Sequence, residues 1–339
     1  MQRQAIPVCL LGGDVVCMAR TGSGKTAAFV IPMLQKLMTK KGHNNDNAFD
    51  ISSSVTQGQS SVKAVIISPT RELSLQTLSV CKKLSRFCDI RNGSDGVGGY
   101  FEKKFNIISI IGGDGMEKQF EALASKPDII VATPGRLAHH LTEIPDFDLS
   151  GCEVVVYDEA DRLFEMGFAG QIRDITKSMP EYRQTLLFSA TMPKALAEFA
   201  KSGLHDPTIV RLDSEANLSE ELRVGFLTCR SGDKDAALLY LLQSLLKHES
   251  QKSNDADKEV EEKKNKRKKR ENLILIFAAT RHHVDFLTSL IRSSGINATC
   301  IYGTMDLEAR KSNLASFRNG TNNVCVVSDV AARGVYYCR

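Results

Sequence analysis

Val154-Val155-Val156-Tyr157-Asp158-Glu159-Ala160-Asp161 is an apolar run that ends abruptly in three carboxylates. Four β-forming residues in a row read as a strand buried on both faces of a sheet. Ligands of open parallel sheets bind at the carboxyl ends of such strands, so acids there call for a reason. Asp158 and Glu159 have the chemistry to hold Mg²⁺ and a water.

Far upstream, Val15-Val16-Cys17-Met18 is a second short apolar run. Ala19-Arg20-Thr21-Gly22-Ser23-Gly24-Lys25-Thr26 follows it, and then Ala27-Ala28-Phe29-Val30-Ile31, which reads as a helix opening. Strand, loop and helix in that order fit a phosphate-binding P-loop, with Ala19 at the place of the usual first glycine. Gly22 and Gly24 let backbone N–H groups close around phosphate oxygens, and the helix N-terminus favours their negative charge. Ala19, Thr21, Gly22, Ser23, Gly24, Lys25 and Thr26 are therefore the expected nucleotide-binding set. Lys25 reaches the β- and γ-phosphates. The Thr26 hydroxyl and Asp158 hold Mg²⁺ from two strand tips, largely through water because this ion dehydrates reluctantly. Glu159 is the candidate general base, and ATP and Mg²⁺ are the expected cofactors.

At 339 residues the chain is long enough for two domains with separate cores, and 42% hydrophobic with 25% charged residues is ordinary globular composition. No apolar stretch reaches the roughly 18–20 residues of a membrane span, and the N-terminus lacks a signal-peptide pattern, so a soluble intracellular protein is expected. Nine cysteines without CxxC or Cys/His spacing read as reduced thiols and argue against metals beyond Mg²⁺. A net charge of +4 does not by itself establish nucleic-acid binding, but it permits a local basic face.

Strand-like runs alternate with helical patterns throughout: Ala64–Ile67, Ile107–Ile111, Asp128–Val131 and Thr185–Phe188 join the two runs above. This is an α/β chain with parallel sheets. The pattern breaks at Pro207, which places a first domain over 1–207 and a linker over 208–222. A second α/β domain over 223–339 has expected strands at 273–277, 298–301 and 324–327, and a helix over 281–292. Polar inserts at 40–61 and 248–270 read as surface loops. The second ends in Lys263-Lys264-Asn265-Lys266-Arg267-Lys268-Lys269-Arg270, a nuclear-import signal, a phosphate-contacting arm or a solvated loop.

The short polar motifs, read in order, resemble those of the DEAD-box ATP-dependent RNA helicases. Asp158-Glu159-Ala160-Asp161 is the motif that names that family, and the resemblance covers nearly the whole chain. It implies two RecA-like parallel-sheet domains in tandem, the second incomplete. Gln2, followed by Ile6-Pro7, stands where the family reads adenine. Ser189-Ala190-Thr191 is similar to the motif that couples ATP binding to strand separation, giving Ser189 and Thr191 that role. Pro69, Thr70, Arg71, Gly113, Thr133, Pro134, Gly135 and Arg136 match motifs that grip the RNA backbone in the first domain. Thr280, Gly303, Arg310 and Ser328 match those of the second. Thr hydroxyls, Gly amides and Arg side chains are groups that hold phosphate and sugar, so sequence-independent, salt-sensitive RNA binding is implied. The segments 112–120 and 161–168 look most like the nucleolar branch that assembles the large ribosomal subunit. Pre-ribosomal RNA, ribosome-assembly proteins, a monomeric state, a nucleolar location and no membrane follow as expectations.

The chain also departs from the family pattern. Upstream of Gln2 there is no room for the aromatic residue that stacks on adenine. After Arg333-Gly334 the family continues with an aliphatic residue and a ribose-contacting aspartate, whereas this chain has Val335-Tyr336-Tyr337-Cys338-Arg339. The later motif with the arginine fingers is missing, and such a finger is worth about 10³–10⁵ in rate. The expectation is therefore a helicase fragment with catalytic residues Lys25, Asp158 and Glu159 and impaired hydrolysis. The competing readings are an ATP-gated RNA clamp without effective catalysis and a P-loop ATPase that remodels DNA or protein.

Overall fold

Alternation along the strand Val154–Tyr157 sets the architecture. Val154 and Val156 enter one apolar cluster, while Val155 and Tyr157 enter a second on the opposite face. The computed structural model describes residues 1–19, 22–43, 62–86, 88, 90–91, 102–103, 105–113, 115–211, 224–252 and 273–328. They fall in two compact units, Met1–Ala216 and Asn217–Arg339.

In the first unit, β1 (Val15–Met18), β2 (Ala64–Ile67), β5 (Ile107–Ile110), β6 (Ile129–Ala132), β7 (Val154–Tyr157), β8 (Gln184–Ser189) and β9 (Thr208–Arg211) form one sheet. Its order is β5–β6–β2–β7–β8–β1–β9, with every pairing parallel. A short antiparallel pair, β3 (Ile90–Arg91) with β4 (Glu102–Lys103), stands apart from it. One face is covered by α1 (Gln2–Leu10), α2 (Lys25–His43) and α3 (Arg71–Ser85), through Ala5, Cys9, Phe29, Met33 and Cys81. The other is covered by α5 (Pro134–Glu143), α6 (Ala160–Glu165), α7 (Ala169–Lys177) and α8 (Lys194–Gly203), through Leu137, Leu163, Ile172, Leu196 and Phe199. Between β5 and β6 the chain forms α4 (Met116–Ala124).

The second unit shows α9 (Lys234–Lys252), β10 (Ile274–Ala278), α10 (Arg281–Ser293), β11 (Ala298–Ile301), α11 (Leu307–Arg318) and β12 (Val324–Ser328). Its parallel sheet runs β10–β12–β11, and β12 again divides its residues, Val324 and Val326 to one core and Cys325 and Val327 to another. Among the described residues no helix is long and apolar enough to cross a membrane. The eight described cysteines are free thiols.

The expected linker begins too early. Thr208–Arg211 is a parallel edge strand paired with β1, so it belongs to the first sheet; residues 212–223 lie outside the described set. Both inserts also start too early, since α2 continues to His43 and α9 to Lys252. The basic run 263–270 lies outside the described residues.

Asp14 pins this end of the sheet. Its carboxylate accepts from the Thr185 N–H at 2.6 Å and the His205 N–H at 2.7 Å, while its own carbonyl accepts from the Thr208 N–H at 2.9 Å. One side chain thus joins the start of β1 to β8 and to the segment that leads into β9. Charge-assisted bonds of this kind are about twice as strong as neutral ones. Asp14→Ala strands both N–H groups and is expected to lower unfolding free energy by about 2–5 kcal/mol. Urea denaturation checks it, and a loss under about 1 kcal/mol contradicts the pinning role.

Candidate functional site

Because the seven strands run the same way, their carboxyl ends open on one rim, and the strand order sorts that rim by chemistry. The adjacent strands β7, β8 and β1 lead into Asp158–Asp161, Ser189–Thr191 and the glycine-rich loop. On the other side, β5, β6 and β2 lead into Gly112-Gly113, Thr133–Arg136 and Pro69–Arg71.

In the first half, Gly22 and Gly24 take φ of +78° and +85°, which L side chains rarely adopt. Gly24 has a second constraint, because a Cβ there would lie 2.8 Å from Gln2 Nε2. Gln2 opens α1, and its Nε2 donates to the Gly24 carbonyl at 3.4 Å, so the helix brings it to the loop. Gln184 fixes α1 in turn, donating to the carbonyls of Cys9 (2.7 Å) and Gly13 (2.8 Å) while accepting from Lys36 Nζ (3.0 Å). Lys25 begins α2, is buried, and donates through Nζ to the Ala19 carbonyl at 2.8 Å. That contact closes the loop over its own first residue. Thr26 follows on the first turn of α2, and Thr21 lies outside the described residues.

Asp158 and Glu159 are only 3% and 4% exposed. Glu159 adopts a left-handed backbone, φ 48° and ψ 51°, and its N–H donates to Asp158 Oδ1 at 3.0 Å. Non-glycine residues in that conformation cluster at functional sites. Burial, reinforced by the Glu159 carboxylate, pushes the Asp158 pKa from 3.8 up to about 7 against the pull of the Lys25 ammonium. Burial raises Glu159 as well. A divalent cation fits this environment: the donors are hard oxygens, and positive charge would relieve the crowding of buried carboxylates. No group of three His, Cys, Asp or Glu side chains among the described residues could hold a metal ion. A cation at this strand tip would therefore need ligands beyond the side chains of the described residues.

Ser189, the last residue of β8, joins the two loops that flank it. Its carbonyl accepts from the Ala19 N–H at 2.9 Å, at the start of the glycine-rich loop. Its hydroxyl accepts from the Asp161 N–H at 3.0 Å and donates to the Thr191 carbonyl at 2.7 Å. Thr191 completes the knot, with N–H and Oγ1 donating to Asp161 Oδ2 at 3.1 and 2.9 Å. Sequence reasoning did not single out Asp161 for this role; its regular spacing behind Asp158 was the available signal.

On the other half of the rim, Thr70 caps α3 by accepting from the Leu73 N–H at 3.3 Å. Arg71 crosses Gly112 so closely that a Cβ there would meet its Nη2 at 2.9 Å. Gly113 takes φ +93°. Thr133 is the N-cap of α5 but makes no side-chain cap bond; Pro134 opens the helix, and Gly135 faces open space. Arg136 Nη1 meets the Met116 sulfur on α4. These loops thus present hydroxyls, backbone amides and two guanidinium groups.

In the second unit, Thr280 caps α10 by accepting from the His283 N–H at 3.3 Å, and Ser328 ends β12. Arg310 is buried and donates through Nη2 to the carbonyls of Tyr302 (2.7 Å) and Gly303 (2.8 Å), so it shapes the turn that Gly303 presents. Arg281 lies over the Tyr302 ring, 5.1 Å from its centroid, and had not stood out in the sequence.

This glycine-rich loop, acidic strand tip and Ser-Ala-Thr knot define a two-unit P-loop protein. The chain belongs to the DEAD/DEAH box helicases, whose family model matches residues 1–199; the helicase conserved C-terminal domain matches 251–337. It is 44% identical over 349 positions to "ATP-dependent RNA helicase DBP10" of Ajellomyces capsulatus, an alignment covering 99% of this chain and 35% of that protein. It is 43% identical over 335 positions to "DEAD-box ATP-dependent RNA helicase 29" of Oryza sativa subsp. indica, covering 99% and 33%. The chain spans about a third of the length of these relatives. Among solved structures it resembles the DEAD-box helicase Mss116 bound to ssRNA and UDP-BeF, with TM-score 0.75, 25% identity and coverage of 98% and 61%. It also shares the fold of S. cerevisiae Dbp5 bound to RNA and ADP BeF3, with TM-score 0.71, 22% identity and coverage of 97% and 70%. The fold is that of tandem RecA-like domains.

The buried Asp158 makes ligand-free stability depend on pH. Its native pKa of about 7 lies above its ordinary 3.8. Between those values the native state holds a proton that the unfolded chain releases, so stability falls as pH rises through the window. Asp158→Asn, neutral throughout, is expected to unfold at a higher temperature than wild type at pH 8, by about 2–4 °C per kcal/mol relieved. The two should converge below about pH 4. Thermal scans in chelator test this, and a variant no more stable than wild type at pH 8 contradicts it.

Proposed function

We propose that this chain is the ATP- and RNA-binding core of an ATP-dependent RNA helicase acting in large ribosomal subunit assembly. The observation that carries the proposal is Ser189, which bonds the glycine-rich loop through its carbonyl and Asp161 through its hydroxyl. The family membership, and the relatives named as ATP-dependent RNA helicases, support the same reading.

In this reading Gly22, Ser23 and Gly24 turn their amides to the phosphates of ATP, and Lys25 exchanges the Ala19 carbonyl for the β- and γ-phosphates. Gln2, already against Gly24, reads the adenine edge. Thr26 and Asp158 would hold Mg²⁺, which would supply charge neutralisation at the transferring phosphate. Glu159, whose burial raises its proton affinity, orients the attacking water and takes its proton. Ser189 and Thr191 pass the state of that pocket to Asp161. Pro69, Thr70, Arg71, Gly113 and Thr133–Arg136 hold RNA by its backbone, as do Thr280, Gly303 and Ser328 in the second unit, where Arg310 sets the turn. Such contacts carry no base information, so binding is sequence-independent and weakens as salt rises. The resemblance of residues 112–120 and 161–168 to the nucleolar branch supports a role in the nucleolus, on pre-ribosomal RNA.

Glu159→Gln separates catalysis from binding. It is expected to leave ATP and RNA affinities within about twofold while cutting RNA-stimulated phosphate release by about 10²- to 10⁴-fold, the worth of a general base. Turnover equal in wild type and variant would favour the non-catalytic ATP-gated clamp.

A further inference from the structure

Two loops of the RNA half of the rim are joined by a buried hydrogen-bonded chain that the proposed function leaves unused. Gln119 on α4 donates through Nε2 to the Ile111 carbonyl at 2.9 Å, just before the Gly112-Gly113 turn. Its Oε1 meets His140 Nε2 at 2.8 Å, on the helix α5 whose first turn carries Pro134–Arg136. With the Gln119 amide nitrogen donating to Ile111, Oε1 is the acceptor and His140 carries its proton on Nε2. Burial, with Arg136 and His139 nearby, lowers the His140 pKa and keeps the ring neutral.

His140 is fully buried, and its Nδ1 has no hydrogen-bond partner among the described residues. Packing alone does not call for a histidine here, because an apolar side chain of similar volume would fill the space without stranding that nitrogen. What histidine adds is a directed bond between two helices, and a buried polar pair fixes which faces meet. The same stripe continues on either side. Met116 receives Arg136, and the Phe120 ring meets the His140 ring edge-on with centroids 5.6 Å apart. Positions 116, 119 and 120 on α4, at i, i+3 and i+4, face positions 136 and 140 on α5, at i and i+4.

We propose that Gln119 and His140 are positioning residues for RNA: the Ile111–Gln119–His140 chain holds the Gly112-Gly113 turn and the Thr133–Arg136 helix start in one fixed register, so that both grip the same strand. The inference rests on reading this half of the rim as an RNA surface.

The test is fluorescence polarisation with a labelled single-stranded RNA, alongside binding of a fluorescent ATP analogue, which reads the opposite half of the rim. His140→Leu and Gln119→Leu are each expected to weaken RNA binding about 3- to 10-fold, the factor for one lost hydrogen bond. The double variant should fall no more than about twofold below the weaker single, because both break one chain. His140→Gln, which keeps a donor, should return RNA affinity to within about twofold of wild type. ATP-analogue affinity should stay unchanged in all of them. Should His140→Leu fail to fold, Gln119→Leu against His140→Gln carries the comparison. Wild-type RNA affinity in folded His140→Leu or Gln119→Leu would overturn the inference, as would equal losses for RNA and ATP analogue, or a His140→Gln as weak as His140→Leu. A wild type that binds no RNA would overturn the surface reading and the inference with it.

Discussion

Parallel pairing of β7, β8 and β1 is the constraint on which the site depends. A sheet of strands that all run one way must be covered on both faces, because each strand returns to its starting edge through a crossover. The alternate residues of β7 meet that demand, Val154 and Val156 on one side, Val155 and Tyr157 on the other. The carboxyl-end loops then open on one rim, where three polar segments that are far apart in sequence become neighbours. The in-register pairing of Met18 with Ser189 brings the glycine-rich loop and the Ser-Ala-Thr segment out of the sheet at the same level.

Burial gives that rim its reactivity and its cost. Asp158, Glu159 and Asp161 are three buried carboxylates within four residues, opposed mainly by Lys25. Asp161 accepts two hydrogen bonds from Thr191. Burial raises the proton affinity of Asp158 and Glu159. The site is therefore poised to accept a cation and a proton, and it gains stability when it receives them. The β5–β6–β2 half is built differently, from glycine turns and helix starts beside Arg71 and Arg136.

The sequence made much of this legible for definite reasons. Strands β1, β2, β6 and β7 are four-residue apolar runs, and burial on both faces forces that pattern. The phosphate loop shows because its chemistry needs consecutive residues. Strand β9 was hidden: Thr208–Arg211 pairs on one side only and is largely exposed, so it lacks the apolar signature, and Pro207 before it reads as a break. The strand order is not written in the chain at all, yet it alone groups the glycine-rich loop with Asp158–Asp161 and Ser189–Thr191, apart from Pro69–Arg71, Gly112-Gly113 and Thr133–Arg136. Gln119 and His140 were invisible for a similar reason. They lie 21 positions apart on different helices, and neither residue type carries a period. Arg310 stood out by its resemblance to a family motif, but only the fold shows that it is buried beneath the turn rather than exposed on it.

We propose that the knot of Ser189, Thr191 and Asp161, which reaches the glycine-rich loop through the Ser189 carbonyl, couples nucleotide binding to RNA binding. RNA affinity measured with and without a non-hydrolysable ATP analogue, in wild type and in Thr191→Ala, tests it most directly. The account predicts that the analogue tightens RNA binding of the wild type by about tenfold or more, a coupling of ordinary size. In Thr191→Ala that gain should collapse while each ligand still binds alone. A variant that keeps the full gain would contradict the account.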